Sequence, residues 1–204
     1  MKTYIKAFCC IVAIIVTVSV LAICSCRSEN DYQYDYLREN YYNYLGAKVS
    51  LINEVENYIT QVAPTSDLRA YKVVELCEQY NMDVIFVLAQ GQVESVFGTK
   101  GLARKTNSVW NVGAYDNKPI SKKYKYNHPN ESIEPYIKLL LSRYLKDRTE
   151  VNLLTNFVDI NGNRYATNSH YEDMLTDKYN TIKTSTSIDS LQYRMYYYYK
   201  RSCN

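Results

Sequence analysis

The chain has 204 residues, of which 47% are hydrophobic and 22% are charged. This length suits one ordinary domain with appendages, and the apolar content excludes wholesale disorder. The net charge of +3 comes from Lys2, Lys6 and Arg27, which precede the first acidic residue. The remaining 21 basic residues balance the 21 acidic ones, so we do not expect a nucleic-acid-binding protein, whose affinity depends on neutralising phosphates.

The N-terminus has the pattern of an export signal. Lys2 and Lys6 precede seventeen uncharged residues, Phe8 to Cys24, so a positive segment is followed by an apolar one. The run is short for a membrane-spanning helix, which needs about 20 residues, and therefore fits a signal peptide or a short anchor. Basic residues on its N-terminal side predict that the rest of the chain is exported, to the periplasm or cell envelope.

The end of this run, Leu21 to Cys26, resembles a bacterial lipobox, whose cysteine is acylated after cleavage. Cys26 follows Ser25 and fits the pattern better than Cys24, so we assign lipidation to Cys26. An uncleaved anchor and free secretion are the alternatives. Residues 1–26 are thus interpreted as the signal peptide or anchor, and the Tyr- and Asn-rich residues 27–47 as a tether.

The rest of the chain contains few metal ligands and few cysteines. Cys77 and Cys203 do not make a disulfide framework, and Cys77 is interpreted as a small buried apolar residue. Because His128 and His170 are the only histidines and no ligands cluster, we expect no metal site and no cofactor. We expect a monomer.

Apolar spacing predicts a mostly α fold. The first predicted helix starts at Val49 and ends before Pro64. The second runs from an N-cap at Ser66 to Tyr80, and the third covers Val84 to Phe97, with Asp83 as its N-cap and Gly98 as its C-cap. Three more are predicted at Ile133–Leu145, Tyr171–Ile182 and Ser187–Lys200. The third is apolar on almost all sides and is predicted to be the buried, central one. Val109 to Tyr115 and Lys122 to Tyr126 are predicted strands of a small β hairpin.

Glu94 is the first candidate for chemistry. It lies near the end of the most apolar predicted helix, between Val93 and Val96. Half-burial in such surroundings disfavours the charged carboxylate, so we expect the pKa of Glu94 to be raised. A glycosidase's general acid needs that property, although a carboxylate turned to solvent is the alternative on this evidence alone.

Two ordered motifs extend the argument beyond Glu94. The stretch Ala89 to Tyr115 contains Ala-Gln, Glu-Ser, Phe-Gly-Thr and Leu-Ala before an Asn-containing step, and Arg164 to Leu175 contains Tyr-Ala-Thr-Asn at the start of a helix. Together they resemble the glucosaminidases of glycoside hydrolase family 73, which are lysozyme-like. Asn130 to Ile133 resembles that family's Glu-Ser-Ile entry into the next helix.

The resemblance implies an α+β lysozyme-like domain over residues 48–183, followed by a C-terminal helix over 184–204, and cleavage of β-1,4 bonds in peptidoglycan. It makes Glu94 the general acid and Tyr165 a tyrosine of the catalytic site. It further implies that the substrate contacts Gln90, Asn107, Trp110, Tyr115 and Asn168. For Trp110, packing in the core is the alternative.

The sequence departs from the family at the second carboxylate that glycosidases usually need. The predicted hairpin segment Lys118 to Tyr126 has no acid. Asp116 is the nearest candidate, and Glu131 is better explained as a helix-start residue. A substrate N-acetyl group acting as internal nucleophile would remove the need for a second acid. Asn168 replaces the family's Asp.

The segment from Lys100 to Tyr126 holds seven basic residues and one acid, Asp116. Such a patch attracts a carboxylate-bearing polymer such as peptidoglycan with its stem peptides, and a solvated loop is the alternative. A muramidase, a lytic transglycosylase and an inactive glycan-binding lipoprotein remain the competing functions. The sequence does not distinguish a host autolysin from a phage lysis enzyme.

Overall fold

A computed structural model describes residues 29–114 and 121–203. The predicted signal segment with Cys26 lies outside these ranges, as do Tyr115 and Asp116. In chain order the described elements are α1 Glu29–Val62, α2 Ala70–Tyr80, α3 Val84–Ser95, α4 Ala103–Thr106, 3-10 helices at Lys122–Tyr124 and Pro129–Ser132, α5 Ile133–Arg143, α6 Glu150–Leu153, α7 Tyr171–Ser185 and α8 Ile188–Ser202. The predicted mostly α fold is confirmed, and none of these helices has the length and hydropathy to cross a bilayer.

The chain divides into two compact units. The described residues of the first are 29–44 and 197–203, and in it the rings of Tyr44 and Tyr199 have centroids 5.6 Å apart. Its Arg201 guanidinium lies 5.2 Å from the centre of the Tyr36 ring. The second unit, residues 45–196, contains Glu94 and its surroundings.

Helix α3 is the centre of the second unit, as predicted. The Asp83 carboxylate caps it by accepting a hydrogen bond from the Ile85 amide at 2.8 Å, and Val84 to Ala89 are fully buried. A helix that is apolar on all sides is stable only when neighbours cover it on all sides. Helix α7 supplies much of that cover.

Several predicted helix ends were wrong. Helix α1 begins at Glu29 rather than Val49, so the segment interpreted as a tether is helical from residue 29 onward. No proline interrupts it. Helix α2 begins at Ala70 rather than after a Ser66 cap; the Ser66 hydroxyl accepts from the Leu68 amide at 3.1 Å and donates to the Phe97 carbonyl at 2.7 Å. Cys77 is fully buried in α2, as predicted.

The predicted hairpin is wrong for the residues that the structure describes. The Asn111 amide donates to the Ser108 carbonyl at 3.0 Å, and the Ala114 amide donates to the Asn111 carbonyl at 2.9 Å, so this segment forms turns. The φ angles of Asn111 (50°) and Gly113 (75°) are incompatible with an extended strand. The predicted second strand begins as the 3-10 helix Lys122–Tyr124.

Candidate active site

The Glu94 side chain lies in the last turn of α3, where it is half-buried. Its Oε1 accepts a hydrogen bond from the Tyr171 hydroxyl at 2.5 Å. Its Oε2 accepts one from Asn111 Nδ2 at 3.1 Å. Both carboxyl oxygens are therefore held in place by side chains from outside α3.

Burial raises the pKa of Glu94 above its ordinary value of 4.5. The hydrogen bonds from Tyr171 and Asn111 oppose this shift, because they stabilise the charged carboxylate. The predicted direction of the shift is confirmed. Desolvation outweighs the hydrogen bonds, and the protonated form of Glu94 is favoured at pH values where an exposed glutamate is ionised.

A sharp reversal follows Glu94. Val96, Phe97 and Gly98 have positive φ angles of 49°, 55° and 85°, so Val96 rather than the predicted Gly98 is the C-cap of α3. A β-branched residue in this region is strained, typically by about 1–3 kcal/mol. The Ser95 hydroxyl holds the turn by donating to the Val109 carbonyl at 2.6 Å and accepting from the Gly98 amide at 2.8 Å. The reversal leaves Glu94 at the end of the helix.

Asn111 holds Glu94 from the opposite segment. Its Nδ2 donates both to the Glu94 carboxylate and, at 3.0 Å, to the Glu94 main-chain carbonyl. Its φ of 50° is one that asparagine tolerates better than most residues. Its buried Oδ1 has no hydrogen-bond partner among the described residues. The sequence motif includes Asn111 but does not indicate this contact.

A buried polar chain supports Tyr171. Gln90 Nε2 donates to the Tyr171 hydroxyl at 3.1 Å, and Gln90 Oε1 accepts from the Tyr136 hydroxyl at 2.5 Å. Gln90 is fully buried, so its predicted role in substrate contact was wrong. It orients Tyr171, which the sequence placed only at the start of a helix. The position of Tyr171, three residues after the Tyr-Ala-Thr-Asn motif, was the available signal.

Tyr165 belongs to the same aromatic cluster. Its ring stacks on Phe157 with centroids 4.4 Å apart, and its centroid lies 5.4 Å from that of Tyr171. The Tyr165 hydroxyl donates to the Trp110 carbonyl at 3.3 Å. Burial, and secondly the charge of Glu94, raise the pKa of Tyr165 well above its ordinary value, so the hydroxyl stays protonated. Tyr165 is therefore a neutral group packed against Tyr171, the residue that donates to Glu94.

The loop before Tyr165 is fixed by Asp159. This fully buried carboxylate pairs with Arg143 Nη2 at 2.7 Å and accepts from the amides of Asn161 and Asn163, each at 2.9 Å. The Asn163 bonds come first among the causes that lower the pKa of Asp159 to about 2. The Tyr165 amide then donates to the Phe157 carbonyl at 2.8 Å. Asp159 is thus a structural residue that sets the path of the chain to Tyr165.

Comparison with protein families identifies the family of the chain. The profile of the glucosaminidase family, described as mannosyl-glycoprotein endo-beta-N-acetylglucosaminidase, matches residues 70–184, more than half of the chain. The chain belongs to this family. It is accordingly a glycoside hydrolase of the kind that degrades peptidoglycan. No curated protein and no solved structure matches it significantly.

Within the glucosaminidase domain, Trp110 is a core residue. It is fully buried, stacks on Tyr136 with centroids 4.7 Å apart, and donates from Nε1 to the Val87 carbonyl at 3.0 Å. A Cβ on Gly91 would lie 3.2 Å from that nitrogen, so a larger residue there would require the indole to shift by a few tenths of an ångström. The prediction that Trp110 lines the sugar cleft was wrong, and its alternative, core packing, holds.

Asn107 and Asn168, two predicted substrate-contact residues of the glucosaminidase, also have structural roles. Asn107, at φ 54°, ends α4 and donates from Nδ2 to the Tyr126 carbonyl at 2.9 Å. Asn168 accepts from the His170 amide at 2.9 Å, just before α7. Neither forms a hydrogen bond with Glu94. Glu131 lies in the 3-10 helix Pro129–Ser132 and accepts from the Asn127 amide at 3.1 Å, as its helix-start interpretation predicted.

Metal ligands do not gather in the described part of the glucosaminidase. No group of three or more His, Cys, Asp or Glu side chains there is placed to hold an ion. The described chemistry around Glu94 consists of one carboxyl, two tyrosine hydroxyls and two amide side chains: Tyr165, Tyr171, Gln90 and Asn111.

Proposed function

We propose that this glucosaminidase cleaves β-1,4 bonds of the peptidoglycan strand as an endo-β-N-acetylglucosaminidase, with Glu94 as general acid. The observation that carries the proposal is the half-buried Glu94 carboxyl, whose pKa is raised and whose two oxygens are both held by hydrogen bonds. Such a group keeps its proton to a higher pH than an exposed glutamate does, and a general acid delivers that proton to the leaving glycosidic oxygen.

The second half of the reaction has two routes. In one, Asp116 acts as base or nucleophile, which would complete the usual pair of carboxylates. In the other, the substrate's N-acetyl oxygen attacks the anomeric carbon as the glycosidic bond breaks and Glu94 protonates the leaving oxygen, and water then opens the resulting ring at the anomeric carbon. The neutral hydroxyl of Tyr165 can accept a hydrogen bond in either route, and it can donate one to the substrate only by releasing the Trp110 carbonyl. Asp116→Asn separates them, because only the first route loses wall hydrolysis.

The bond that is cut is tested by mass spectrometry of digested wall. Reducing N-acetylglucosamine ends are the expected products. Reducing N-acetylmuramic ends would instead assign a muramidase, and anhydro-muramic ends a lytic transglycosylase. If the protein binds wall but releases no fragments, the proposal of catalysis is wrong and a glycan-binding lipoprotein is favoured.

We also propose that the protein is exported, that the segment before Cys26 is cleaved off, and that a lipid on Cys26 holds the rest at the membrane. The support is the order of basic residues, apolar run and cysteine in the sequence. Fatty-acid labelling of the parent and of Cys26→Ser tests this assignment. Label on the parent alone supports it, and label on both or neither contradicts it.

A further inference from the structure

A pocket of about 570 Å³ lies in the second unit and is not lined by Glu94, Asn111, Tyr165 or Tyr171. Its walls come from the loop after α1, residues 62–67, and from the turn after α3, residues 96–100, together with Arg104, Asn107 and Pro129. Its volume falls in the range of roughly 300–1,000 Å³ that is typical of sites for small ligands.

The pocket walls are fixed before any ligand arrives. The Ser66 hydroxyl ties one wall to the other by donating to the Phe97 carbonyl at 2.7 Å. The Lys100 amide is bonded to the Ser95 carbonyl at 2.9 Å, and Thr99 Oγ1 to the Val96 carbonyl at 2.8 Å. A preorganised wall lowers the entropic cost of binding.

Three charged side chains line the pocket. Lys100 and Arg104 are exposed cations, and Asp67 is an exposed acid. None of the three side chains has an ion pair or hydrogen bond with any other residue described. The pocket therefore offers two free cations for carboxylates and one free carboxylate for an amine.

We propose that this pocket binds the stem peptide of peptidoglycan, with peptide carboxylates on Lys100 and Arg104 and a free peptide amine on Asp67. The inference rests on the proposed function, since the glycan strand carries these peptides beside the sugars that Glu94 would act on. One wall of the pocket begins at Val96, two residues after Glu94. The proposal requires that a single polymer present sugar to the carboxyl and peptide to the pocket.

The test is a titration of the full chain, purified in detergent, with a synthetic stem peptide that carries no sugar. Lys100→Gln/Arg104→Gln removes both pocket cations. Lys105→Gln/Lys122→Gln is the matched control, because it removes the same charge from exposed residues that do not line the pocket. Thr65→Trp narrows the pocket without changing its charge. Thermal unfolding confirms that each variant is folded.

The parent is expected to bind the peptide, and the pocket variant to bind at least about tenfold more weakly, which corresponds to about 1.4 kcal/mol. The control variant should stay within about twofold of the parent, and Thr65→Trp should weaken binding. Failure of the parent to bind, equal binding by parent and pocket variant, or equal loss in both double variants would each overturn the proposal. Equal loss would mean that only the net charge matters.

A separate titration tests the role of Asp67. Acetylating the free amine of the peptide should weaken binding to the parent, and Asp67→Asn should abolish that difference. A difference that persists in Asp67→Asn contradicts the assignment of the amine to Asp67. Because the peptide lacks a glycosidic bond, failure here leaves wall hydrolysis untouched, whereas a parent that releases no glycan fragments overturns the proposed function instead.

Discussion

The Tyr171 hydroxyl donates to Glu94 Oε1 across 2.5 Å, although the two residues are 77 positions apart in the chain. The same hydroxyl accepts from Gln90 Nε2, one turn earlier in α3. The start of α7 is thereby fastened to both a buried amide and the carboxyl of the central helix. The ionisation of Glu94 consequently depends on how α7 packs against α3.

Tyr171→Phe should raise the pKa of Glu94 further, because it removes a hydrogen bond that stabilises the carboxylate. With Glu94 as general acid, the basic limb of the pH profile of kcat/KM should move to higher pH. The loss of an acceptor for Gln90 should also cost about 1–3 kcal/mol of stability.

Tyr136→Phe is the matched control for that variant. It removes the hydroxyl that donates to the same buried amide, Gln90, and it leaves the hydrogen bonds of Glu94 in place. A loss of stability with an unmoved pH profile is expected. If both variants shift the basic limb equally, the direct bond between Tyr171 and Glu94 does not set it.

Asn111→Gly and Asn111→Ala separate strain from hydrogen bonding. Both remove the bond to the Glu94 carboxylate, so both should shift the basic limb of the pH profile upward. Only alanine is strained at a φ of 50°, so it should be less stable than the glycine variant by about 1 kcal/mol. Chemical denaturation measures this difference, and equal stabilities would contradict the left-handed backbone at this position.

Glu94→Gln should stabilise the protein near neutral pH. The folded-state pKa of Glu94 lies above its ordinary value of 4.5, so the folded parent binds more protons than the unfolded chain between these two values. The parent therefore loses stability as the pH rises through this window. The variant does not, because its glutamine side chain stays neutral. Denaturation curves of the two proteins should coincide below pH 4.5 and separate above it. If the curves of the two proteins separated as the pH falls, the pKa of Glu94 would be lowered on folding rather than raised, and the prediction would be wrong.

Asp159→Asn should show the opposite pH dependence. The pKa of Asp159 is lowered from 3.8 to about 2, so the stability it contributes is present above 3.8 and is lost as pH falls towards 2. The unfolding free energies of parent and variant should converge over that window. A constant gap would show that the carboxylate charge is not what holds the loop before Tyr165.

The central helix could be predicted because its signals are local. Asp83 and the apolar run after it specify the start and burial of α3 within the segment itself. The raised pKa of Glu94 followed from the same run. The start of α1 was missed because the segment before Val49 is polar, and polarity alone does not exclude a helix.

The partners of Glu94 could not be predicted in this way. Tyr171 and Asn111 reach it only through tertiary packing, and no periodicity links positions that far apart. For Trp110 the sequence left cleft and core both open, and the facing Tyr136 decides between them. The hairpin prediction failed because it rested on the alternation of apolar residues, whereas the backbone at Asn111 and Gly113 turns through positive φ angles.

The central claim is that Glu94 is the acid that cuts the glycan strand. The most direct measurement is the release of reducing N-acetylglucosamine ends from purified wall by the parent and by Glu94→Gln, with folding checked by thermal unfolding. The parent should release them, and the folded variant should do so about 10²–10⁴-fold more slowly. A folded Glu94→Gln that digests wall at the parental rate would contradict the account.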